Sequence, residues 1–122
     1  IRKASAGDMP AILKLINAYP DELMQDNLPP AEAFFVAENE GLLVGCCALE
    51  IYSKRIAEVR SLAVMKEFQR KGIAKQLIRA CAALAKESAV YELFCITGNP
   101  DFFQKHGFGT FKKEKYALIK IL

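Results

Sequence analysis

The sequence predicts a mixed α/β (α+β) fold, with a central mixed, mostly antiparallel sheet and helices on both faces. Three observations carry this. Two apolar runs, Phe34 to Glu38 and Leu42 to Tyr52, flank "NEG" and read as a hairpin. A third run, "IAEVRSLAV" from Ile56 to Val64, follows the turn "SKR". A helical pattern over Ile73 to Glu87 then leads into another apolar run, Val90 to Thr97, which makes a strand–helix–strand crossover. At 122 residues the chain is expected to form one domain, 1–122, around one core.

Each element has a local reason. Ile1 to Ser5 reads as a short strand. Asp8 suits a helix N-cap and Pro10 the first helical turn. Met9, Ile12, Leu13, Ile16 and Tyr19 then share one face. Pro20 to Glu32 holds three prolines and no sustained period, so it reads as an irregular connection. In the second helix Ile73, Leu77, Ile78, Cys81, Leu84 and Ala85 form the apolar stripe, while Lys75, Gln76, Arg79 and Lys86 face away. Val90 to Thr97 is apolar enough for burial on both faces. Asn99 reads as the cap of a short helix with Pro100 at its first position, and Gly107 suits a left-handed residue at its end. "YALIKIL", Tyr116 to Leu122, reads as a final strand.

Composition narrows the function. Hydrophobic residues make up 52% and charged residues 25%, as in an ordinary globular domain. No apolar run approaches the roughly 20 residues of a membrane helix, so no membrane partner is expected. No secretory leader is visible, although Ile1 is not a natural initiator, so a preceding segment stays open. The net charge of +3 is mild; it points away from nucleic acid and is compatible with a small anionic ligand. Cys46, Cys47, Cys81 and Cys95 include no CxxC pair, and adjacent Cys46 and Cys47 face opposite sides of a strand. They read as buried thiols of a reducing cytoplasm. The single His106 has no partner at ligand spacing, so no metal is expected.

The most informative stretch is "EFQRKGIAKQLIRACA", Glu67 to Ala82. A helix N-terminus exposes unpaired N–H groups and a partial positive charge. Gly72 before it admits close backbone approach, and Arg70 and Lys71 add full charges. A phosphate or pyrophosphate is the natural guest, and a solvated basic loop is the alternative. Neither GxxxxGK[ST] nor GxGxxG is present.

"QRKGIA", Gln69 to Ala74, resembles the [Q/R]-x-x-G-x-[G/A] signature of the GNAT superfamily of acetyl-CoA-dependent N-acetyltransferases. It follows the strand ending "RSLAV" and opens an amphipathic helix, as that signature does. "FFQKHGF", Phe102 to Phe108, looks like the family's late F-[YF]-x-K-x-G-F segment. "EVRSLAV", "ELFCIT" and "DFFQKHGF" are similar to the amino-acid N-acetyltransferases, the N-acetylglutamate synthase group.

The resemblance implies a GNAT-like sheet, acetyl-CoA as cosubstrate without a metal, and a small-molecule amine as acceptor, with a homodimer left open. It implies that the backbone of Gln69, Arg70, Lys71, Gly72, Ile73 and Ala74, with Lys75 near, cradles the CoA pyrophosphate. Leu62, Ala63 and Val64 would pair with the pantetheine arm, and an N–H near Val64 would face the thioester oxygen. Glu58 matches the strand position that carries the base in several members; a structural partner for it is the alternative. Arg60, two residues on, shares its face and suits a substrate carboxylate, or a salt bridge to Glu58 or another acid. Phe103 stands where many members have a proton-donating tyrosine, which leaves Tyr52 and Tyr116 as weak stand-ins. Asn99 does not align with the family's late asparagine, because Ile96 lies at that position. Cys95 falls near the expected acetyl position, where an inert thiol is the ordinary reading and an acyl relay the exceptional one. A non-catalytic CoA-binding module and a peptide N-acetyltransferase are the rival functions.

Overall fold

The computed structural model describes residues 1–109 and 120–122. Its elements are β1 (Arg2–Lys3), α1 (Met9–Asn17), β2 (Phe34–Asn39), β3 (Leu42–Ile51), β4 (Ile56–Val64), α2 (Ile73–Glu87), β5 (Glu92–Phe94) and α3 (Pro100–Gln104). The five strands form one sheet in the order β1-β2-β3-β4-β5. The first three pairings are antiparallel and β4–β5 is parallel. The mixed sheet read from the sequence is therefore present, and β3, β4 and α2 begin where the patterns placed them. Most of the expected strand Tyr116 to Leu122 lies outside the described residues.

Helices cover both faces. Ile12, Leu15 and Ile16 of α1 pack on Phe34, Val36, Cys46 and Ala48. Leu77, Cys81 and Ala85 of α2 pack on Cys47, Leu49, Ala57 and Val59. The period-2 alternation of a strand sends Cys46 to one core and Cys47 to the other. Gly45 brings α2 close: a Cβ there would stand 3.1 Å from Ile73 Cγ2 and 3.2 Å from Leu77 Cδ1. A side chain at this position requires Ile73 and Leu77 to give by a few tenths of an ångström.

A bulge breaks the β3–β4 ladder. Cys46 pairs with Ala63, but Ala48 pairs with Arg60, so β4 holds one extra residue at Ser61–Leu62. Ser61 takes a left-handed φ of 56°. The extra residue inverts the parity of β4: Ala57 and Val59 face α2, whereas Ala63 joins the α1 core. The Cys46 thiol donates to the Ser61 carbonyl at 3.4 Å.

Four expectations need correction. Leu13 is exposed, and Leu15 takes its place on the buried face of α1; the positions Ile12, Leu15, Ile16 and Tyr19 follow the i, i+3, i+4, i+7 rule more closely. Asp8 holds the N-cap position, but its carboxylate accepts from the Ser5 N–H at 2.8 Å and from Arg2, because a 3-10 turn over Ala6–Asp8 precedes the helix. The Arg2 guanidinium holds the Asp8 carboxyl well below the usual range. Asn99 likewise sits at the cap of α3 without a side-chain cap bond; its N–H donates to Thr97 Oγ1. β5 is three residues long and half-buried, since its pairing with β4 stops at Glu58–Phe94. Gly107 has the left-handed φ expected of it, 92°.

All four cysteines are free thiols. Burial pushes Cys46 up to about 12 from an ordinary value of 9.0, and Cys47 is raised by its contact with Cys81, Sγ to Sγ 3.7 Å, and by burial. The folded state thus holds these protons more tightly than the unfolded chain. The stabilisation from Cys46 is complete below about pH 9 and is lost as pH rises toward about 12. We expect the urea midpoint to fall across that window. A thiol reagent at pH 8 should label Cys95 in the native protein and reach Cys46, Cys47 and Cys81 only on unfolding.

Candidate active site

Three structural pieces lie along β4 and the loop that follows it, on either side of the bulge. The first is the loop after β4. Gln69 is extended, Arg70 takes φ 63°, Gly72 takes φ 82°, and α2 starts at Ile73. The first helical bond runs from the Gln76 N–H to the Gly72 carbonyl at 3.1 Å. Among the described residues the N–H groups of Arg70, Lys71, Gly72, Ile73, Ala74 and Lys75 therefore have no backbone acceptor. The Gln69 N–H donates to Lys66 at a long 3.3 Å. Six adjacent unpaired donors at a helix N-terminus suit a group with several anionic oxygens. Lys71 Nζ rests 5.5 Å from the Phe68 ring centroid, beside the loop.

The second piece is the end of β4. The Met65 N–H donates to Val44 at 2.8 Å, while Gly45 stands opposite Val64. Alternation along an antiparallel ladder makes Gly45–Val64 a non-hydrogen-bonded pair. The N–H and carbonyl of Val64 thus point off β3, toward the side where β5 has already ended. Past Glu58 this edge of β4, which includes Leu62, Ala63 and Val64, has no strand partner among the described residues.

The third piece is a polar cluster on the α1 face of the sheet. Glu58 pairs directly with Glu50 across β3–β4. Like charges in that relation repel, and each carboxylate has its own compensation. Tyr52 Oη donates to Glu58 Oε1 at 2.6 Å. Arg60 Nη1 lies 3.4 Å from Glu50 Oε2, and its Nη2 donates to the Asn27 carbonyl at 3.1 Å. Arg60 is thus held by another acid rather than by Glu58, and it ties the Pro20–Glu32 connection to β4. Partial desolvation, then Glu50 and Glu58, push the Tyr52 phenol well above its ordinary range. Its ring stacks 6.3 Å from that of Phe94.

The remaining candidates are placed as follows. Burial and the charge of Glu58 push the Cys95 thiol up to about 11, which disfavours the thiolate that a relay needs at neutral pH. Phe103 is buried edge-on to Phe102 and Phe108 and carries no proton to give. His106 packs against Phe102, ring centroids 4.8 Å apart. Tyr116 lies outside the described residues. Among the described residues no group of three or more His, Cys, Asp or Glu is placed to hold a metal, and no helix is long and apolar enough to cross a membrane. A hollow of ≈ 300 Å³ flanks the other side of the loop, lined in part by Lys71, Ile73, Gln76, Glu38 and Asn39. It includes neither Glu58 nor Arg60.

Sequence reasoning missed Glu50 and Tyr19. Glu50 was legible in principle, because the short SKR turn sets the register that puts it opposite Glu58. Tyr19 was counted as part of an apolar face, and nothing local marks its hydroxyl, which donates to the Val64 carbonyl at 2.5 Å.

This arrangement has known relatives. Residues 30–110 match the family model of the acetyltransferase (GNAT) domain. The chain belongs to the GNAT acetyltransferase family. It is 34% identical over 122 residues to an uncharacterised N-acetyltransferase of Chlorobaculum tepidum, covering 95% of this chain and 79% of that protein. It is 30% identical over 116 residues to an amino-acid acetyltransferase of Mycobacterium tuberculosis, covering 88% and 67%. A Mycobacterium tuberculosis protein solved with CoA and NLQ superposes with TM-score 0.84 at 30% identity, over 90% of this chain and 71% of that one. N-acetylglutamate synthase of Neisseria gonorrhoeae, solved with coenzyme A and N-acetyl-glutamate, gives TM-score 0.82 at 26% identity; the match covers 89% of this chain but 28% of that one. The GNAT-like mixed fold is therefore established for this chain.

The geometry of the loop makes a separable prediction. A Cβ on Gly72 would meet nothing within 4 Å, so Gly72→Ala adds no clash and only left-handed strain. We expect a stability loss of about 1–2 kcal/mol in urea titration, with native circular dichroism retained.

Proposed function

We propose that this GNAT domain transfers acetyl from acetyl-CoA to the primary amine of a small amino acid or a related metabolite, by direct attack in a ternary complex. The observation that carries the reading is the run of six unpaired N–H groups, Arg70 to Lys75, opening α2 directly after the unpaired end of β4. That run fits a pyrophosphate, with Gln69 as the anchor of the loop. The edge of β4 over Leu62, Ala63 and Val64 fits an extended amide-bearing arm lying along it, with only the N–H of Val64 open because Tyr19 and Gln69 hold its carbonyl. Acetyl-CoA, when bound, supplies the thioester to be cleaved. The relatives solved with CoA, and the one named amino-acid acetyltransferase, support both cosubstrate and acceptor class.

The chain's own residues then take these roles. The Val64 N–H stabilises the oxygen of the attacked carbonyl. Glu58 accepts the ammonium proton of the acceptor, directly or through water, with Tyr52 holding its carboxylate by one oxygen. Arg60 receives an acceptor carboxylate by exchanging its contact with Glu50. Buried Phe103 offers no acid for the leaving thiolate, so that proton comes from water or from the amine itself. The same residue favours a second reading, a CoA-binding module without turnover. The free buried thiols accord with a reducing cytoplasmic setting.

The test combines acetyl-CoA with a panel of amino acids, other small amines and peptides while free thiol is followed. Amino-acid-dependent thiol release is expected. CoA binding without release above background by any amine removes the enzymatic reading, and peptides outperforming every amino acid reassigns the acceptor. Glu58→Gln should lower kcat/KM by about 100-fold near neutrality and leave CoA affinity unchanged by calorimetry. The deficit should narrow as pH rises and more of the amine is already neutral. Wild-type rates in this variant would take the base role from Glu58.

A further inference from the structure

Gln69 opens the loop that the reading above gives to the cofactor, yet its side chain turns back to the sheet. Its Nε2 donates to the Val64 carbonyl at 3.1 Å and to the Tyr19 hydroxyl at 3.0 Å. The Tyr19 hydroxyl in turn donates to the same Val64 carbonyl at 2.5 Å. The capacities of these groups close a triangle. The amide has two protons and gives one to each oxygen; the phenol gives its only proton to the carbonyl; the carbonyl fills both lone pairs.

Three distant segments meet at that one acceptor. Tyr19 lies just past the end of α1 and immediately before the Pro20–Glu32 connection. Gln25 folds the connection back toward it, donating to the carbonyls of Leu23 at 2.9 Å and Ile16 at 3.2 Å. Val64 ends β4, and Gln69 begins the loop. The carbonyl and the N–H of Val64 leave the strand on the same side, so fixing the first sets the direction of the second.

We infer that Tyr19 and Gln69 are positioning residues. Together they hold the Val64 carbonyl, aim the Val64 N–H, and couple the Pro20–Glu32 connection to the cofactor loop. Neither side chain touches the reacting groups. This inference rests on the acetyl-transfer reading.

Two variants test it in the whole chain. Tyr19→Phe keeps the ring and removes the hydroxyl; Gln69→Met keeps the length and removes both donors. Each is assayed for kcat and KM with the best amine of the panel, for CoA affinity by calorimetry, and for amide exchange over residues 19–32 and 64–75. Tyr19→Phe should lower kcat about tenfold, the scale of one hydrogen bond, and shift CoA affinity by less than about threefold. Exchange should quicken in 64–75 as well as in 19–32, and Gln69→Met should follow the same pattern. A lowered melting temperature with kcat unchanged overturns the positioning role, as does a fall in kcat matched by an equal loss of CoA affinity. If the wild type binds CoA but accepts no amine, exchange in 64–75 decides, and no change there in either variant overturns the coupling. If the wild type binds no CoA, the acetyl-transfer reading itself fails and the inference falls with it.

Discussion

One extra residue in β4 organises the part of this molecule that holds the proposed site. Without the bulge at Ser61–Leu62, the residues after it would keep the parity of Ala57 and Val59, and Ala63 would face α2 rather than α1. With it, the strand end turns a carbonyl and an N–H at Val64 away from β3, where β5 no longer runs. A left-handed serine costs about 1–2 kcal/mol relative to an extended one. The cost is borne by the flanking ladder and by the Cys46 thiol that holds the Ser61 carbonyl. Strain of this kind persists where the surroundings over-determine it, and here both cores grip the strand from opposite sides.

The electrostatics of the α1 face follow from the same strand. Before the bulge, Glu58 and Arg60 share a face, and pairing brings Glu50 against Glu58. The arginine stays with Glu50, while Glu58 has a neutral phenol as its partner. A carboxylate held by a hydroxyl is oriented but not neutralised, and it remains a proton acceptor. One held by a guanidinium is both oriented and neutralised. The two strands thus set two acids with different partners directly opposite one another.

Much of the fold was legible because it depends on local signals. The bounds of α2 follow from its apolar stripe and from Gly72, and β4 follows from β-branched and apolar alternation. The family signature was legible for the same reason, since the loop and helix form one contiguous segment. The caps expected at Asp8 and Asn99 lose to competitors a few residues away, and the other failures involve partners distant in sequence. No signal in Ser61 marks a left-handed residue, so the bulge and its parity change were invisible. The short β5 reflects where β4 stops pairing, not the apolar character of Val90 to Thr97. Arg60 meets an acid, as one of its alternatives had it, and the hairpin makes that acid Glu50 rather than Glu58. Tyr19 looked like core because its ring is core; its hydroxyl acts at a strand 45 residues away.

Gly45 carries no side chain, yet it bears on where the proposed anion site stands. Its missing side chain lets Ile73 and Leu77 settle against β3, and those residues lie in the first two turns of the helix whose free N–H groups form the proposed cradle. The height of that helix start above the sheet is thus set in part from beneath, by β3. Under the proposed function, a changed floor under the helix would alter the grip on a phosphate while every residue of the loop stayed as it is.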